Sequence, residues 1–355
     1  LFGGVILAMI FWLLARFEDG KFSLPGGWVT KSWFAIVITF SLSSAMLFMG
    51  DKSVSQSVFG MGYETDTLMT IITFMILMFL TSVSFQDQNK MFSFYTTIAA
   101  SSFLVLLIEI YHLYSGGNFL VSNDMIANTV GKWNDLGVFF GFISVLCLSA
   151  LELLKLNLYP KLFLSLLLIG SLFVVGTVNY GFVWGTLGMI SLVIFVYSLY
   201  FYGFFKKEEG VVKSKIVIFL KPSFVVVVLS VVLLFSQARV GEYLQGLNIT
   251  NLDVRPSWSA TLDIAQNALK GDTKKMLFGI GPNNFSYEWI KFKPDAVNST
   301  MFWNIDFNAG IGRLPTYIIT TGLLGFLSWL VFLVFMFYYG FRAVLYEQAP
   351  KASRF

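Results

Sequence analysis

Apolar residues run through this chain in long, nearly unbroken stretches instead of alternating with polar ones. Nine stretches approach the roughly 20 residues that cross a hydrocarbon layer: Leu1–Ala15, Ser32–Met49, Leu68–Ser84, Phe92–Tyr111, Leu136–Leu154, Leu162–Val178, Phe182–Phe205, Val217–Phe235 and Leu314–Gly340. A β-barrel would alternate over segments of about 10 residues, and runs such as SFVVVVLSVVLLF at 223–235 do not. Helices follow, because lipid requires each backbone polar group to be satisfied within its own segment. The pattern predicts an all-α polytopic transmembrane protein of about nine spans. The stretch at the N-terminus is the shortest and weakest of them.

One polar excursion interrupts the series. Residues 236–313 form a large insertion between the eighth and ninth spans, which divides the chain into 1–235, 236–313 and 314–355. Within it, VRPSWSATLDIAQNALKG reads as a helix, with Pro256 and Ser257 as the start and Gly271 as the stop. Trp258, Leu262, Ala265 and Leu269 make an apolar stripe along it, suited to the membrane surface or to other spans. Gly279, Gly281 and Pro282 then mark a turn. The turn is no nucleotide loop, because it lacks the strand and helix context of G-x-G-x-x-G and no G-K-[ST] follows. It is either a packed anchor or the lining of a lipid or sugar cleft.

Composition agrees with a membrane protein: 56% hydrophobic residues, 12% charged, and a mean hydropathy of +0.74. Soluble domains carry about 25% charged residues. Cys147 and His112 are the single cysteine and histidine. This excludes an internal disulfide, a cysteine metal cluster and paired-histidine zinc sites. The formal charge of +4 matters less than its distribution. Lys206, Lys207, Lys213 and Lys215 mark one side as cytoplasmic, and Arg16, Lys21, Lys31, Lys90, Lys155, Lys161 and Arg342 fall on the same side. Only Lys52 and Lys132 occupy the opposite short loops. The insertion is therefore expected outside. An odd number of spans puts Leu1 outside as well, which leads us to expect an earlier span. The lysine cluster also attracts anionic membrane lipid. It does not suit nucleic acid, because Glu208 and Glu209 dilute it and no aromatic reader accompanies it.

Candidate chemistry gathers at the outer side. Arg255 and Arg313 bracket the insertion, and a guanidinium fork clamps phosphate well. Each is otherwise an interfacial anchor, as is Arg239 near the end of span eight. Asp306, among aromatics in MFWNIDFNAGIG, is a candidate general base or a surface carboxylate. Glu288 is a weaker candidate. In GKWNDLGVFFG, Asn134 and Asp135 either cap a helix or join Trp133 and Trp258 in touching a sugar or lipid head. Glu109, beside His112 near the outer end of span four, is an ionisable group inside a span and so a functional suspect. Neither inverted repeats nor interrupted helices are legible, which argues against a transporter.

RPSWSATLDIAQNAL, LFGIGPNNF, GKWNDLGVFFGF and FNAGIGRLPTYIITTGLLGFLSWL, with the span-loop-span order, resemble the bacterial O-antigen ligase and polymerase superfamily. The resemblance implies glycosyl transfer at the outer face of the cytoplasmic membrane. The donor would be an undecaprenyl-diphosphate-linked glycan, the acceptor a lipid, glycan or protein, and no metal or other cofactor is implied. Arg255 matches the first diphosphate-contacting arginine of that family in position, and Arg313 lies near a second. Ligases also carry a His-Asn pair before the following span. Here Phe307-Asn308 is the nearest echo, so Asn308 is a substrate-binding candidate and Asp306 the substitute base. A flippase or transporter of an envelope lipid or polysaccharide, and an assembly protein, are the competing readings.

Overall fold

A computed structural model describes residues 2–20, 27–47, 54–62, 64–85, 88–116, 128–202, 221–244 and 255–346. The lysine cluster at 206–215 lies outside them. All regular structure among the described residues is helical. The helices are α1 (Phe2–Asp19), α2 (Trp28–Met46), α3 (Val54–Val58), α4 (Leu68–Ser84), α5 (Gln88–Ser115), α6 (Trp133–Leu153), α7 (Leu158–Val178) and α8 (Gly181–Tyr202). They continue as α9 (Pro222–Phe235), α10 (Gln237–Leu244), α11 (Trp258–Leu269), α12 (Thr273–Phe278), α13 (Phe285–Phe292), α14 (Arg313–Thr320) and α15 (Gly322–Tyr346). A 3-10 turn covers Asp295–Ser299.

Among the described residues six helices are long and apolar enough to cross a membrane, or seven if α9 and α10 make one broken span. Each of the nine apolar stretches contains a helix, but α1 ends in Arg16, Glu18 and Asp19, and α4 has only 17 residues. At 1.5 Å per residue α4 is about 25 Å long, short of a hydrocarbon core of about 30 Å.

The chain forms two compact units, Leu1–Met91 with Val254–Phe355, and Phe92–Asp253. In the first, α2, α4 and α15 pack around Trp33, Ile36, Phe40 and Ile71, joined by Tyr317 of α14. The insertion's helices, with α14, build a second core from Ile264, Phe285, Trp289 and Ile319. In the second unit, α6 to α9 pack around Trp133, Phe140, Leu167, Val174 and Trp184. Close helix approach there depends on Gly137 and Gly141, whose missing side chains leave room for Val178 and Val183.

Local chemistry sets the boundaries. The Thr67 hydroxyl caps α4 by accepting from Thr70 N, and Ser257 caps α11 by accepting from Ala260 N. Asn179, at φ +54, closes α7 in the left-handed region and turns the chain into α8.

Two expectations need correction. The stretch from Leu314 to Gly340 is not one helix, and the absence of interrupted helices does not hold. Thr321 and Gly322, at φ +69, break the stretch between α14 and α15. The carbonyls of Ile319 and Thr320 accept from Ile280 N at 3.1 Å and Gly281 N at 2.9 Å, and Ser43 Oγ adds a bond to Thr320 O at 3.0 Å. Backbone groups left open by the break are thereby satisfied from the Gly279–Gly281 turn. A second break bends α9 from α10 by 76° at Ser236.

The α11 stripe also needs restating. The face packed inside the protein is Ala260, Thr261, Ile264 and Ala268. Trp258 and Leu262 stay exposed.

Candidate functional site

In the first unit the site begins with Asp66, which precedes the α4 cap. Thr70 Oγ1 donates to Glu64 O at 2.8 Å and shares a 2.9 Å bond with Thr67 Oγ1, so the turn is held on both sides of Asp66. The Asp66 side chain is 4% exposed, and its Oδ1 lies 3.5 Å from Nη1 of Arg313, which heads α14 and is half-exposed. Asp66 Oδ2 is buried without a partner. Burial pushes the Asp66 carboxyl above its ordinary value, while the Arg313 charge opposes the shift. Tyr317 lies one turn beyond Arg313 and is buried. Its ring stacks on Trp329 at 5.5 Å and meets Phe40 edge-on at 5.5 Å. A carboxylate and a guanidinium therefore meet where α4 and α14 begin, with the Tyr317 ring packed one turn further along α14. This arrangement can fix a half-exposed cation in one orientation for an anionic ligand.

Arg255 is exposed just ahead of α11. A short relay ties its surroundings to those of Arg313. Thr261 Oγ1 donates to Ser257 O at 2.9 Å and accepts from Ile311 N at 2.9 Å. Ser257 stands two residues after Arg255, and Ile311 two residues before Arg313. Gly310 permits the approach, since a Cβ there would come within 2.5 Å of the Thr261 methyl. Thr316 Oγ1 locks the same turn, accepting from Gly310 N at 3.0 Å and donating to Gly312 O at 2.6 Å.

The other candidates in this unit are dispersed. Asp306 and Asn308 are exposed on the segment leading to α14, and Trp258 is exposed on α11. That segment is pinned around Asp306 by Trp289, whose Nε1 donates to Ile305 O at 3.1 Å and whose ring meets Phe307 edge-on at 4.8 Å. Glu288 is buried on α13. The Gly279–Gly281 turn is a packed anchor: Ser57 Oγ donates to Pro282 O at 2.7 Å, and Asn284 Nδ2 donates to Ser57 Oγ at 2.6 Å.

In the second unit Glu109, His112 and Trp133 come together. Glu109 and His112 are fully buried, and His112 Nδ1 lies 3.2 Å from Glu109 Oε2. Glu109 Oε1 accepts from Thr129 N at 2.8 Å and from the Thr129 hydroxyl. Trp133 is fully buried and stacks on the His112 ring at 5.6 Å. His112 Nε2 has no partner. A carboxylate thus orients an imidazole, the relation that activates a histidine base, but inside protein and not in a cleft. Asp135 acts as a cap, its Oδ2 accepting from Lys132 N at 3.2 Å, and Asn134 Oδ1 is buried without a partner. Arg239 is exposed on α10.

Sequence reasoning missed Asp66. Its signal was an acid one residue before a threonine cap, in TDTLMT at 65–70. It also set His112 aside. Among the described residues no group of three His, Cys, Asp or Glu side chains could hold a metal. No family model matches the chain, and neither does any curated protein or solved structure.

Proposed function

We propose that this protein transfers a glycan from an undecaprenyl-diphosphate carrier to a lipid, glycan or protein acceptor at the outer face of the bacterial cytoplasmic membrane, as O-antigen ligases and polymerases do. In this reading nine helices span the bilayer, and the 236–313 insertion lies outside, opposite the lysine-rich loops. Arg255 and Arg313 grip the departing diphosphate. Arginines aimed at charge that builds on a leaving group act chiefly in the transition state, usually the largest catalytic contribution. Asp66 positions Arg313. Asp306 or a water supplies the base, and Asn308 and Trp258 offer contacts to sugar.

The observation that carries the reading is the Ser257–Thr261–Ile311 relay. It anchors the chain two residues from each arginine, with Arg313 further held by buried Asp66.

The test is transfer in proteoliposomes from a defined undecaprenyl-diphosphate oligosaccharide. Arg255→Ala and Arg313→Ala should each lower kcat by about 10²–10³, and Arg255→Lys should recover part of the loss. Full activity in both alanine variants would end the proposal.

The two helix breaks and the buried Glu109–His112 pair favour a second reading, a transporter of an envelope lipid or polysaccharide. Loss of carrier flipping in the arginine variants, with transfer unaffected, would select it.

A further inference from the structure

The head of α14 is open. Gly312 stands at its N-cap with no side chain to bond the first turn, and Pro315 within that turn has no N–H. In the same unit α4 is capped by Thr67, α11 by Ser257 and α12 by Asp272, each through a side-chain oxygen. The first turn of α14 holds no acidic residue either. A helix start without a cap presents its N–H groups and the positive end of its dipole to an approaching anion. Arg313 is the first residue of that turn, and its half-exposed side chain adds a full charge.

Asp66, the carboxylate beside this head, does not close it. Its Oδ1 stays 3.5 Å from Arg313 Nη1, longer than a charge-assisted bond of about 2.7–2.9 Å. Its Oδ2 is buried and has no partner. The side chain is only 4% exposed, so bulk water does not complete its shell. The charged and titratable groups that face it are Arg313 and the Tyr317 phenol of α14, and Glu64 of its own turn. Helix α4 carries no ionisable side chain. Arg313 favours the charged carboxylate, Glu64 opposes it, and burial already biases the group toward its neutral form.

The balance shifts when an anion takes the open side of Arg313. The guanidinium then divides its field between two negative charges, and the incoming one repels the carboxylate. Among the described residues no second cation acts on Asp66. A buried charge that loses its counter-charge is costly, and a proton on the unpartnered Oδ2 removes it. Protonation also takes away the charge that repels the anion and leaves Arg313 to it. Each event favours the other by the same factor, as linkage requires.

We infer that the head of α14 takes up a diphosphate together with one proton, and that the proton goes to Asp66. The proton comes from solvent, the carboxylate becomes a carboxylic acid, and both changes reverse when the anion leaves. The inference rests on the proposed role of Arg313 as a diphosphate clamp and adds the proton to it.

The test is calorimetry of inorganic pyrophosphate binding to the purified full chain in detergent, in Tris and in HEPES at one neutral pH. The two buffers differ in ionisation enthalpy, so the difference in heat counts the protons taken up. Ionisation of the probe itself is common to all variants, so wild type minus Asp66→Asn isolates the carboxyl. Wild type should take up as much as one proton more per pyrophosphate than Asp66→Asn, and its affinity should gain on that of the variant by up to about tenfold per pH unit as pH falls. Arg313→Gln should weaken binding by about tenfold or more. In the wild type alone, pyrophosphate should add a protonated-carboxyl band to the infrared difference spectrum, a readout that does not need Asp66→Asn to fold. Binding with equal proton counts in the two proteins, or without that band, would overturn the inference and leave the glycan-transfer reading standing. Unchanged affinity in Arg313→Gln, or no binding to the wild type, would overturn both the inference and the clamp it rests on.

Discussion

Replacing Gly279 by alanine should loosen the first unit far more than the same change at an open positive-φ glycine. Gly279 has φ +75 and ψ −164, a region essentially reserved for glycine and costing about 1–3 kcal/mol for other residues. Its Cβ would stand 2.3 Å from Thr320 O and 2.5 Å from Thr321 N. On the other side of the contact, a Cβ at Gly322 would meet the Leu277 carbonyl at 2.4 Å. Both obstacles are backbone, so no side chain can swing aside. The two segments must separate, weakening the bonds from Ile280 N and Gly281 N to the end of α14. At about 0.5–1.5 kcal/mol per bond, with the strain added, the expected loss centres on about 4 kcal/mol. Gly271 provides the control, with φ +77 but nothing within 4 Å of a Cβ. Alanine there carries the backbone term alone, about 1–2 kcal/mol. Denaturant titration in mild detergent, followed by tryptophan fluorescence, measures both. A Gly279→Ala loss within about 1 kcal/mol of the Gly271→Ala loss would refute the close contact that breaks the last apolar stretch.

Other outcomes follow from the same geometry. The Asp66 carboxyl is raised above its ordinary 3.8, so between 3.8 and its folded value the folded state binds more protons than the unfolded. Stability should therefore rise as pH falls through that window and decline as pH rises through it; melting curves of the wild type against Asp66→Asn, which should lack this component, check the sign. Thr261→Val should leave Ile311 N without its acceptor and cost about 1–3 kcal/mol in denaturant titration, with transfer reduced although both arginines remain. Glu109→Gln should keep the Thr129 bonds through its amide oxygen, whereas Glu109→Ala should strand Thr129 N and His112 Nδ1 and cost about 2–4 kcal/mol more; equal losses in the two variants would count against the buried pair.

Much of the local structure was legible because it is set by interactions near in sequence. Lipid-length apolar runs dictate helices whatever surrounds them. The Ser257 cap, the Asp135 cap and the stop at Gly271 are contacts within a few residues, so α11 and α6 begin and end close to where their residues place them. Positive-φ positions such as Gly279 and Gly281 could likewise be read as a turn. Arg313 stood out by charge and position, although its partner did not.

What only the tertiary structure decided concerns groups far apart in the chain. Hydropathy sees 314–340 as continuous, because the carbonyls that α14 leaves open are satisfied by a turn some forty residues earlier. Asp66 and Arg313 meet across most of the chain's length, and no spacing rule connects them. The choice of buried face on α11 was also undetermined, since Trp258–Leu262 and Ala260–Ile264–Ala268 both have helical period and only the partner surface selects one.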